Sequence, residues 1–293
     1  MNGSRKVARQ RASATPISAL SCQTAFQSIA QDCIASIRKN HMSARKGSAE
    51  AIHQIRVALT RFRAARAFFS RMVKDAVWPR LKQEMAWLND ELGVARDDDV
   101  LLNYGQRKLF RDWLGTKQRK LAARVRARHR RLEHALRSAR YKRLLDLLAT
   151  WSESGPWTRH GNAARLQKFS TYSQARLHSW RKRLVKKGGR ISHSSATQRH
   201  HLRIKAKRYR YMLEAVATLG IANNFNKRKL AKRVQQALGD LRDLQCFRQS
   251  CGKRRKPPPG YPARKKQLLR KADKALRLLK YRSGQPGKSR DKT

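Results

Sequence analysis

A short pattern of histidine and arginine occurs twice in this chain of 293 residues, and the repeat constrains the fold more than any other feature. The pattern begins at His53 and returns 147 residues later at His200, in each case with arginine three, eight and ten positions further on. A Leu-Gly-x-x-Arg-Asp segment follows each copy, at 92–97 and at 238–243. Two matches in the same order at nearly one offset indicate a tandem duplication, so we expect two related halves.

On a helix, each copy of the pattern separates cations from apolar residues. Because an α-helix turns about 100° per residue, positions i, i+3, i+7 and i+10 lie on one face. Counted from each histidine, this face carries His53, Arg56, Thr60 and Arg63 in the first copy and His200, Arg203, Lys207, Arg210 and then Glu214 in the second. The opposite face carries Ile55, Leu59, Phe62 and Phe69 in the first copy and Leu202, Tyr209, Leu213 and Val216 in the second. We therefore expect a core-facing apolar side and a cationic stripe opposite.

The cationic stripe has two interpretations. It could be an ordinary solvated face, but such faces mix signs at i, i+4, because like charges at that spacing destabilise a helix. The first copy has no carboxylate between residues 51 and 74. An anionic partner is therefore the interpretation that we favour, with Thr60 leaving the first stripe one cation short of the second, which has Lys207 at that position.

The composition of the whole chain points to a polyanionic partner. There are 71 Lys and Arg residues against 18 Asp and Glu, which gives a formal charge of +53 and a pI near 11.7. No acidic residue occurs from 154 to 213, and the segment 252–293 has 16 basic residues and two acidic ones. Such a balance concerns partners rather than fold, and it indicates a polyanion.

The chain reads as helical almost throughout, because Gly and Pro are few and cluster at breaks. The predicted helices cover about 21–40, 48–72, 79–93, 97–113, 116–139, 141–152, 163–187, 195–219, 223–238 or 223–251, and 262–280. We expect an all-α protein of two tandem antiparallel four-helix bundles. The predicted division is a basic disordered tail at 1–19, a first half at 20–153, a second half at 154–251, and a basic linker with a C-terminal helix at 252–293.

Several other classes of protein are disfavoured. No run of 18 apolar residues occurs, so no membrane span is expected. The acid-free N-terminal stretch has the composition of an organelle transit peptide but lacks a strong amphipathic pattern, so we favour a tail in a cytoplasmic protein. The four cysteines form no Cys-x-x-Cys pair, so we expect reduced thiols, no metal site and no cofactor.

The carboxylates near the second motif have a structural interpretation. Asp97, Asp98 and Asp99 could bind Mg²⁺ or Ca²⁺, but the second copy offers only Asp243 at this place. We therefore favour ion pairs that orient the motif arginines. The residues predicted to do so are Arg96, Asp97, Glu214, Arg242 and Asp243. The duplicated Gly93 and Gly239 are expected to permit a helix end or close packing.

These motifs resemble those of the CHAD domain, the conserved histidine α-helical domain. The second copy, His200-x-Leu-Arg-Ile-x-x-Lys-x-x-Arg-Tyr-x-x-Glu214, is especially similar, and Arg96-Asp-Asp-Asp-Val100 resembles the companion motif of that family. The resemblance covers about residues 20–251. It implies two four-helix bundles around a basic channel that binds inorganic polyphosphate at polyphosphate granules, without catalysis. The binding residues that it implies are His53, Arg56, Arg61, Arg63, His200, Arg203, Lys207, Arg208 and Arg210.

Three alternatives remain open at this point. His201 could serve instead of His200, and either histidine could simply bond within the fold. The chain could be a nonspecific nucleic-acid-binding protein, or a bridge between granule and nucleoid, although the motif-helix aromatics are placed on the apolar face. An enzyme is disfavoured, because there are no paired carboxylates and no Gly-rich phosphate loop. The Glu-x-Glu-x-Lys strand of the triphosphatase domain that accompanies some CHAD domains is also missing from the sequence.

Overall fold

A computed structural model describes residues 20–105, 117–159, 163–250 and 260–281, and within these ranges the chain is α-helical apart from short connections. The prediction of an all-α fold is confirmed. The helices are α1 (Cys22–Arg45), α2 (Ala49–Phe68), α3 (Trp78–Gly105), α4 (Lys117–Arg137), α5 (Ala139–Ser154), α6 (Phe169–Gly188), α7 (Ala196–Thr218), α8 (Phe225–Ser250) and α9 (Tyr261–Tyr281). Short 3₁₀ turns occur at Pro156–Thr158, Ala163–Arg165 and Ile191–His193.

Serine side chains begin four of these helices. Each accepts a hydrogen bond from a backbone N–H of the first turn, which satisfies a donor that has no partner within the helix. These N-caps are Ser21, Ser48, Ser138 and Ser195. At Ser195 the contact is reciprocal, because Gln198 accepts from the serine N–H in a capping box. The two motif helices, α2 and α7, thus start at defined residues.

The duplication is visible in the arrangement of helices. Helices α6, α7 and α8 begin 147 residues after α1, α2 and α3. In the first half, α1 contacts α2, α2 contacts α3, α3 contacts α4, and α4 contacts α1; the second half repeats this ring with α6, α7, α8 and α9. The halves meet through equivalent helices, since α2 contacts α7 and α3 contacts α8. Helix α5 has no counterpart within the described ranges and packs on α1 and α3.

The apolar face predicted for each motif helix is buried. All eight residues of the two apolar faces have at most 3% of their surface exposed. In the first half they join an aromatic cluster in which Phe26 makes edge contacts with Phe62, Phe69 and Trp157. Burial of these rings supplies much of the driving force for folding and fixes which face of α2 points away from the core.

One predicted helix break is wrong. The break placed at Gly93 does not exist, and the helices expected at 79–93 and 97–113 are one helix, α3, as far as Gly105; residues 106–116 lie outside the described ranges. Likewise α8 continues through Gly239 to Ser250, which is the longer of the two alternatives. The glycines are mid-helix because arginine side chains from the motif helices lie against them, as described below.

Helix α9 belongs to the core of the second half. Its residues Leu268, Ala272, Ala275, Leu276 and Leu279 are buried against α8 and α6. The C-terminal helix predicted at 262–280 is therefore present, and it closes the second ring. The domain boundaries stay predictions, and the tail at 1–19 lies outside the described residues. No helix in the described part of the chain is long and apolar enough to cross a membrane.

Candidate anion-binding cavity

A cavity of about 220 Å³ lies where the two halves meet, between α2, α3, α7 and α8. It has contributions from both copies of each sequence motif. Six cationic side chains line it, together with His53 and two carboxylates, Asp97 and Asp243. The cations are Arg56, Arg96, Arg203, Lys207, Arg210 and Arg242. The structure therefore brings together cations that lie up to 186 positions apart in the sequence.

Thr60 and Lys207 mark the axis between the halves. They occupy equivalent positions of the repeat, and Lys207 Nζ donates a hydrogen bond to Thr60 Oγ1 over 3.2 Å. When equivalent residues of the two halves touch each other, they lie at the axis that relates the halves. A lysine at position 60 would place two ammonium groups in contact, and like charges in a partly buried site repel strongly. The departure of the first copy from the lysine pattern thus removes a clash of charge.

Glycines give two motif arginines their place. Arg56 lies across Gly93 of α3, where a Cβ would be 2.6 Å from Arg56 Nη1, and Nη1 donates to Asn89 O over 3.4 Å. In the second half, Arg203 lies across Gly239, at 3.4 Å from the position of a Cβ. Both arginines are largely buried. Of the two alternatives given for the duplicated glycines, close packing is correct, and the contact is with arginine.

Amide side chains orient the last arginine of each stripe. Arg63 Nη2 donates to Asn89 Oδ1 over 3.2 Å, and Arg210 Nε donates to Gln235 Oε1 over 2.8 Å. The two amides are 146 residues apart, which is the offset of the second motif. The repeat could therefore have pointed to Asn89 and Gln235, although the residue patterns did not. Arg63 is positioned beside the cavity rather than among its lining residues.

Glu214 and Tyr211 hold the end of the second stripe. Glu214 pairs with Arg210 at 2.5 Å and with Arg61 of the other half at 3.4 Å. The ring of Tyr211 lies under the guanidinium of Arg210 at 4.3 Å from the centroid, and under Lys207 at 5.7 Å. Glu214 thus contacts one motif arginine of each half, and its orienting role stays a prediction. Tyr211 was missed, because it was counted neither with the stripe nor with the apolar face.

The Arg-Asp pairs of the second motif meet across the axis. Arg242 of α8 faces Asp97 of α3 at 3.8 Å, and Arg96 of α3 bonds the Nδ1 of His53. Asp243 is mostly buried; burial raises its pKa, while Arg203 and Arg242 act in the opposite direction. Asp99 pairs with His129 at 3.0 Å, away from the lining residues. The side chain of Asp98 is outside the described part.

The cavity is a strongly positive, partly desolvated site. Burial, together with the charges of Arg203, Arg56 and Arg63, lowers the pKa of Lys207 from 10.5 to about 7. Burial likewise lowers the pKa of Arg56 to about 10 and the pKa of Arg203. Among the described residues nothing accepts a hydrogen bond from the buried Nε of Arg203. These lowered pKa values mean that the surrounding protein disfavours the charged side chains, and a bound anion would raise the pKa values again.

The pKa values of His53 and His200 are both lowered, which favours the neutral imidazole. Burial lowers the pKa of His53 to about 4, with a further contribution from Arg96. The pKa of His200 is also lowered, by burial and by Arg242 and Arg203, but His200 is not among the lining residues of the cavity. His201 is exposed and lines a different depression with Lys186, so it does not share the place of His200.

Two residues implied as ligands lie elsewhere. Arg61 lines a groove between α1, α2 and α7, and Arg208 lines one between α2, α6 and α7. They are equivalent in the repeat and flank the contact of the motif helices on either side. Helical periodicity explains this, since positions eight residues after the histidine fall outside the stripe.

The fold and the cavity define an all-helical protein of two related halves whose basic motif helices meet at one shared cationic site. Residues 28–251 match the sequence model of the CHAD domain. The chain belongs to the CHAD domain family.

Two curated relatives come from Mycobacterium tuberculosis. The uncharacterized protein Rv2226 is 33% identical over 211 residues, and the uncharacterized protein MT2285, from another strain, is 32% identical over 214 residues. Each match covers 66% of this chain and 38% of the relative. The chain thus spans about two fifths of the length of the curated relatives that it matches.

Solved structures share the fold. The CHAD domain from the plant Ricinus communis superposes with a TM-score of 0.69 at 24% identity, covering 91% of this chain and 89% of that one. PptA from Streptomyces chartreusis gives a TM-score of 0.57 at 16% identity, with coverages of 89% and 97%. At these identities the likeness concerns the arrangement of helices.

Proposed function

We propose that this protein binds inorganic polyphosphate in the shared cavity and does so without catalysing its cleavage, in the cytoplasm at polyphosphate granules. The observation that carries the proposal is the cavity itself, which has six cationic side chains and two carboxylates among its described lining residues. The two motif helices supply four of those cations from equivalent or adjacent turns. Membership of the CHAD domain family supports the same ligand through the resemblance of the motifs.

The chemistry of the lining suits phosphate oxygens. Arginine presents a planar fork that can donate two parallel hydrogen bonds to one phosphate, and lysine adds a point charge with weaker directional demand. Arg56 and Arg203 are held by close packing on glycine, so little side-chain freedom is lost when an anion binds. A bound anion would also raise the lowered pKa of Lys207 and remove the repulsion among the buried cations.

A double substitution of equivalent arginines tests the proposal. Arg56→Gln with Arg203→Gln removes two buried cations and keeps a polar side chain of similar length. Since a charged hydrogen bond contributes about 1.5–3 kcal/mol, we expect polyphosphate affinity to fall by at least about 100-fold. The matched control is Lys266→Gln with Arg270→Gln on the exposed side of α9, which removes the same charge. Equal losses in both variants would show nonspecific attraction and refute a specific cavity.

Competition separates this function from nucleic-acid binding. Long-chain polyphosphate and single-stranded DNA of equal total charge are titrated at about 0.3 M salt, where nonspecific electrostatic binding is strongly weakened. We expect polyphosphate to stay bound and DNA to be released. Release of both together would contradict the proposal and leave the chain as a nonspecific polycation. Phosphate release from polyphosphate in the presence of Mg²⁺ would contradict its non-catalytic part.

A further inference from the structure

Two grooves flank the contact between the motif helices, and they are equivalent under the repeat. The first groove, between α1, α2 and α7, is the one that Arg61 lines; the second groove, between α2, α6 and α7, is the one that Arg208 lines. Their lining residues correspond at an offset of 147 residues. The corresponding pairs are Ile29 and Arg176, Cys33 and Trp180, Ser36 and Arg183, Ala58 and Lys205, Arg61 and Arg208, and Ala67 and Glu214.

The two grooves have opposite electrostatic character. The first groove contains one cation, Arg61, which pairs with Glu214, and a second carboxylate, Asp32. The second groove has a volume of about 210 Å³ and is lined by four cations without a carboxylate. The sequence explains the difference, because no acidic residue occurs from 154 to 213 and Ala67 stands at the position of Glu214. One copy of an ancestral groove has thus become strongly basic.

One of the four cations has a structural role. Arg176 donates from Nε to Phe68 O over 3.1 Å, and from Nη2 to Ala67 O over 3.1 Å and to Ser70 Oγ over 2.9 Å. It therefore satisfies carbonyl groups at the C-terminus of α2, where a cation also interacts favourably with the helix dipole. This contact fixes the wall of the second groove and the distance between α2 and α6.

The other three cations have no such use within the described chain. Arg183, Lys205 and Arg208 make no hydrogen bond or ion pair with any described residue. They are crowded: burial lowers the pKa of Lys205, and Lys187, Arg208 and Arg183 lower it further. Arg183 and Arg208 are exposed, so an anion from solution can reach them. Without a counter-charge among the described residues, the three cations repel one another, and a bound anion would relieve that repulsion.

The basic surface extends beyond the second groove. Lys187, a neighbour of Lys205, also lines an open depression at the end of α6 and the start of α7. No acidic residue is among the described residues that line that depression. Its further basic and imidazole groups are Lys186, Arg190, His193 and His201. A linear polyanion could therefore follow the surface of the second half for several phosphates.

We propose that the second groove is a separate phosphate-binding site, built by Arg183, Lys205 and Arg208, that holds a stretch of polyphosphate outside the central cavity. The proposal rests on polyphosphate being the ligand of that cavity. A ligand without bases fits best, because Trp180 is the one aromatic ring that lines the groove. The guanidinium of Arg176 lies 5.9 Å from its centroid, and the ring of Phe68 meets it edge-on at 5.3 Å, so the ring is occupied by protein contacts.

The equivalent groove supplies the test variant. Arg183→Ser with Lys205→Ala gives the second groove the residues that the first groove has at the same places, so the fold accommodates both side chains. The control is the α9 double variant of Lys266 and Arg270, with the same change of charge. Circular dichroism and the urea midpoint establish that each variant of the full chain is folded.

Two measurements on these variants report the second site. The logarithm of polyphosphate affinity falls linearly with the logarithm of salt, by roughly 0.7–0.9 per phosphate contact, so we expect the groove variant to lower the slope by roughly 1.4–1.8. The α9 control should keep the native slope. With tripolyphosphate in calorimetry, we expect two bound ions per native chain and one per chain of the groove variant.

The outcomes distinguish this proposal from the function of the cavity. If the groove variant matches the control while Arg56→Gln with Arg203→Gln loses polyphosphate, the second site is wrong and the central one stands. If neither variant loses polyphosphate, both are wrong. If the groove variant keeps polyphosphate but loses single-stranded DNA, the groove is a nucleic-acid contact and the proposal is overturned.

Discussion

Replacing Lys207 by methionine should stabilise the unliganded protein, in a way that depends on pH. The ammonium group lies among Arg203 of its own helix, Arg56 and Arg63 of α2, and Arg96 of α3. Among the described residues, only the hydroxyl of Thr60 accepts a hydrogen bond from it. A pKa that falls from 10.5 to about 7 means that the folded state disfavours the charged lysine by on the order of 5 kcal/mol. Methionine keeps the length of the side chain and removes the charge.

The direction of this pH dependence follows from the number of protons that each state binds. Because the pKa in the folded protein lies below that of the unfolded chain, the folded state binds fewer protons between about pH 7 and pH 10.5. The destabilisation by Lys207 is therefore complete below about pH 7 and disappears as the pH rises towards 10.5. Loss of the hydrogen bond to Thr60 costs about 1 kcal/mol at every pH. We thus expect Lys207→Met to be more stable by about 3–4 kcal/mol near pH 6, and nearly unchanged near pH 10.

Urea unfolding of both proteins at these two pH values, at one salt concentration, measures the difference. The free energy of unfolding of the variant relative to the native protein isolates Lys207, since other groups titrate alike in both. An equal effect at both pH values, or destabilisation near pH 6, would refute the electrostatic reasoning. Near pH 8, polyphosphate binding should take up a proton in the native protein and not in the variant, which calorimetry in buffers of different ionisation enthalpy detects.

Three further substitutions separate packing from binding. Gly239→Ala should stabilise α8 by up to about 1 kcal/mol in thermal unfolding, because alanine has a higher helix propensity than glycine. The added Cβ would be 3.4 Å from Arg203, which leaves room for it. Gly93→Ala should displace Arg56, whose Nη1 would be 2.6 Å from the Cβ, and so weaken polyphosphate binding in a titration, whereas unchanged affinity would contradict the role of Arg56. Asp75→Ala should destabilise the fold by about 3 kcal/mol or more in urea, because its carboxylate accepts from Trp151 Nε1, from the Trp157 N–H and from two N–H groups at the start of α3, yet folded protein should bind polyphosphate normally.

The helices and the direction of the motif side chains could be read from the sequence. Helical periodicity placed Arg203, Lys207 and Arg210 on one face and Leu202 and Leu213 on the other, and the structure has them in the cavity and in the core. This works because the direction of a side chain from its own helix axis depends only on its position in the chain. The repeat offset similarly determined which helices are equivalent.

Local patterns failed where a distant partner changes the meaning of a residue. Gly93 was predicted to end a helix, but Arg56 from another helix lies against it, and the helix continues. For Gly239 the sequence left a helix end and a continuous helix open, and the helix continues past it. Helix α9 was predicted as a basic helix, but the sequence did not show that five small or aliphatic residues on one side pack on α6 and α8. In each case the deciding contact comes from a segment far away in the sequence.

By itself the sequence determined an all-α chain of two related halves with an unusual excess of positive charge and two cationic stripes. Only the tertiary structure decided which cations face each other, because docking of α2 on α7 is a property of two helices and not of either pattern. That docking puts Lys207 against Thr60 and collects Arg56 and Arg203 in one cavity. The same docking places the equivalent Arg61 and Arg208 in two separate grooves. Glu214 neutralises Arg61 in the first groove, and the second groove stays basic.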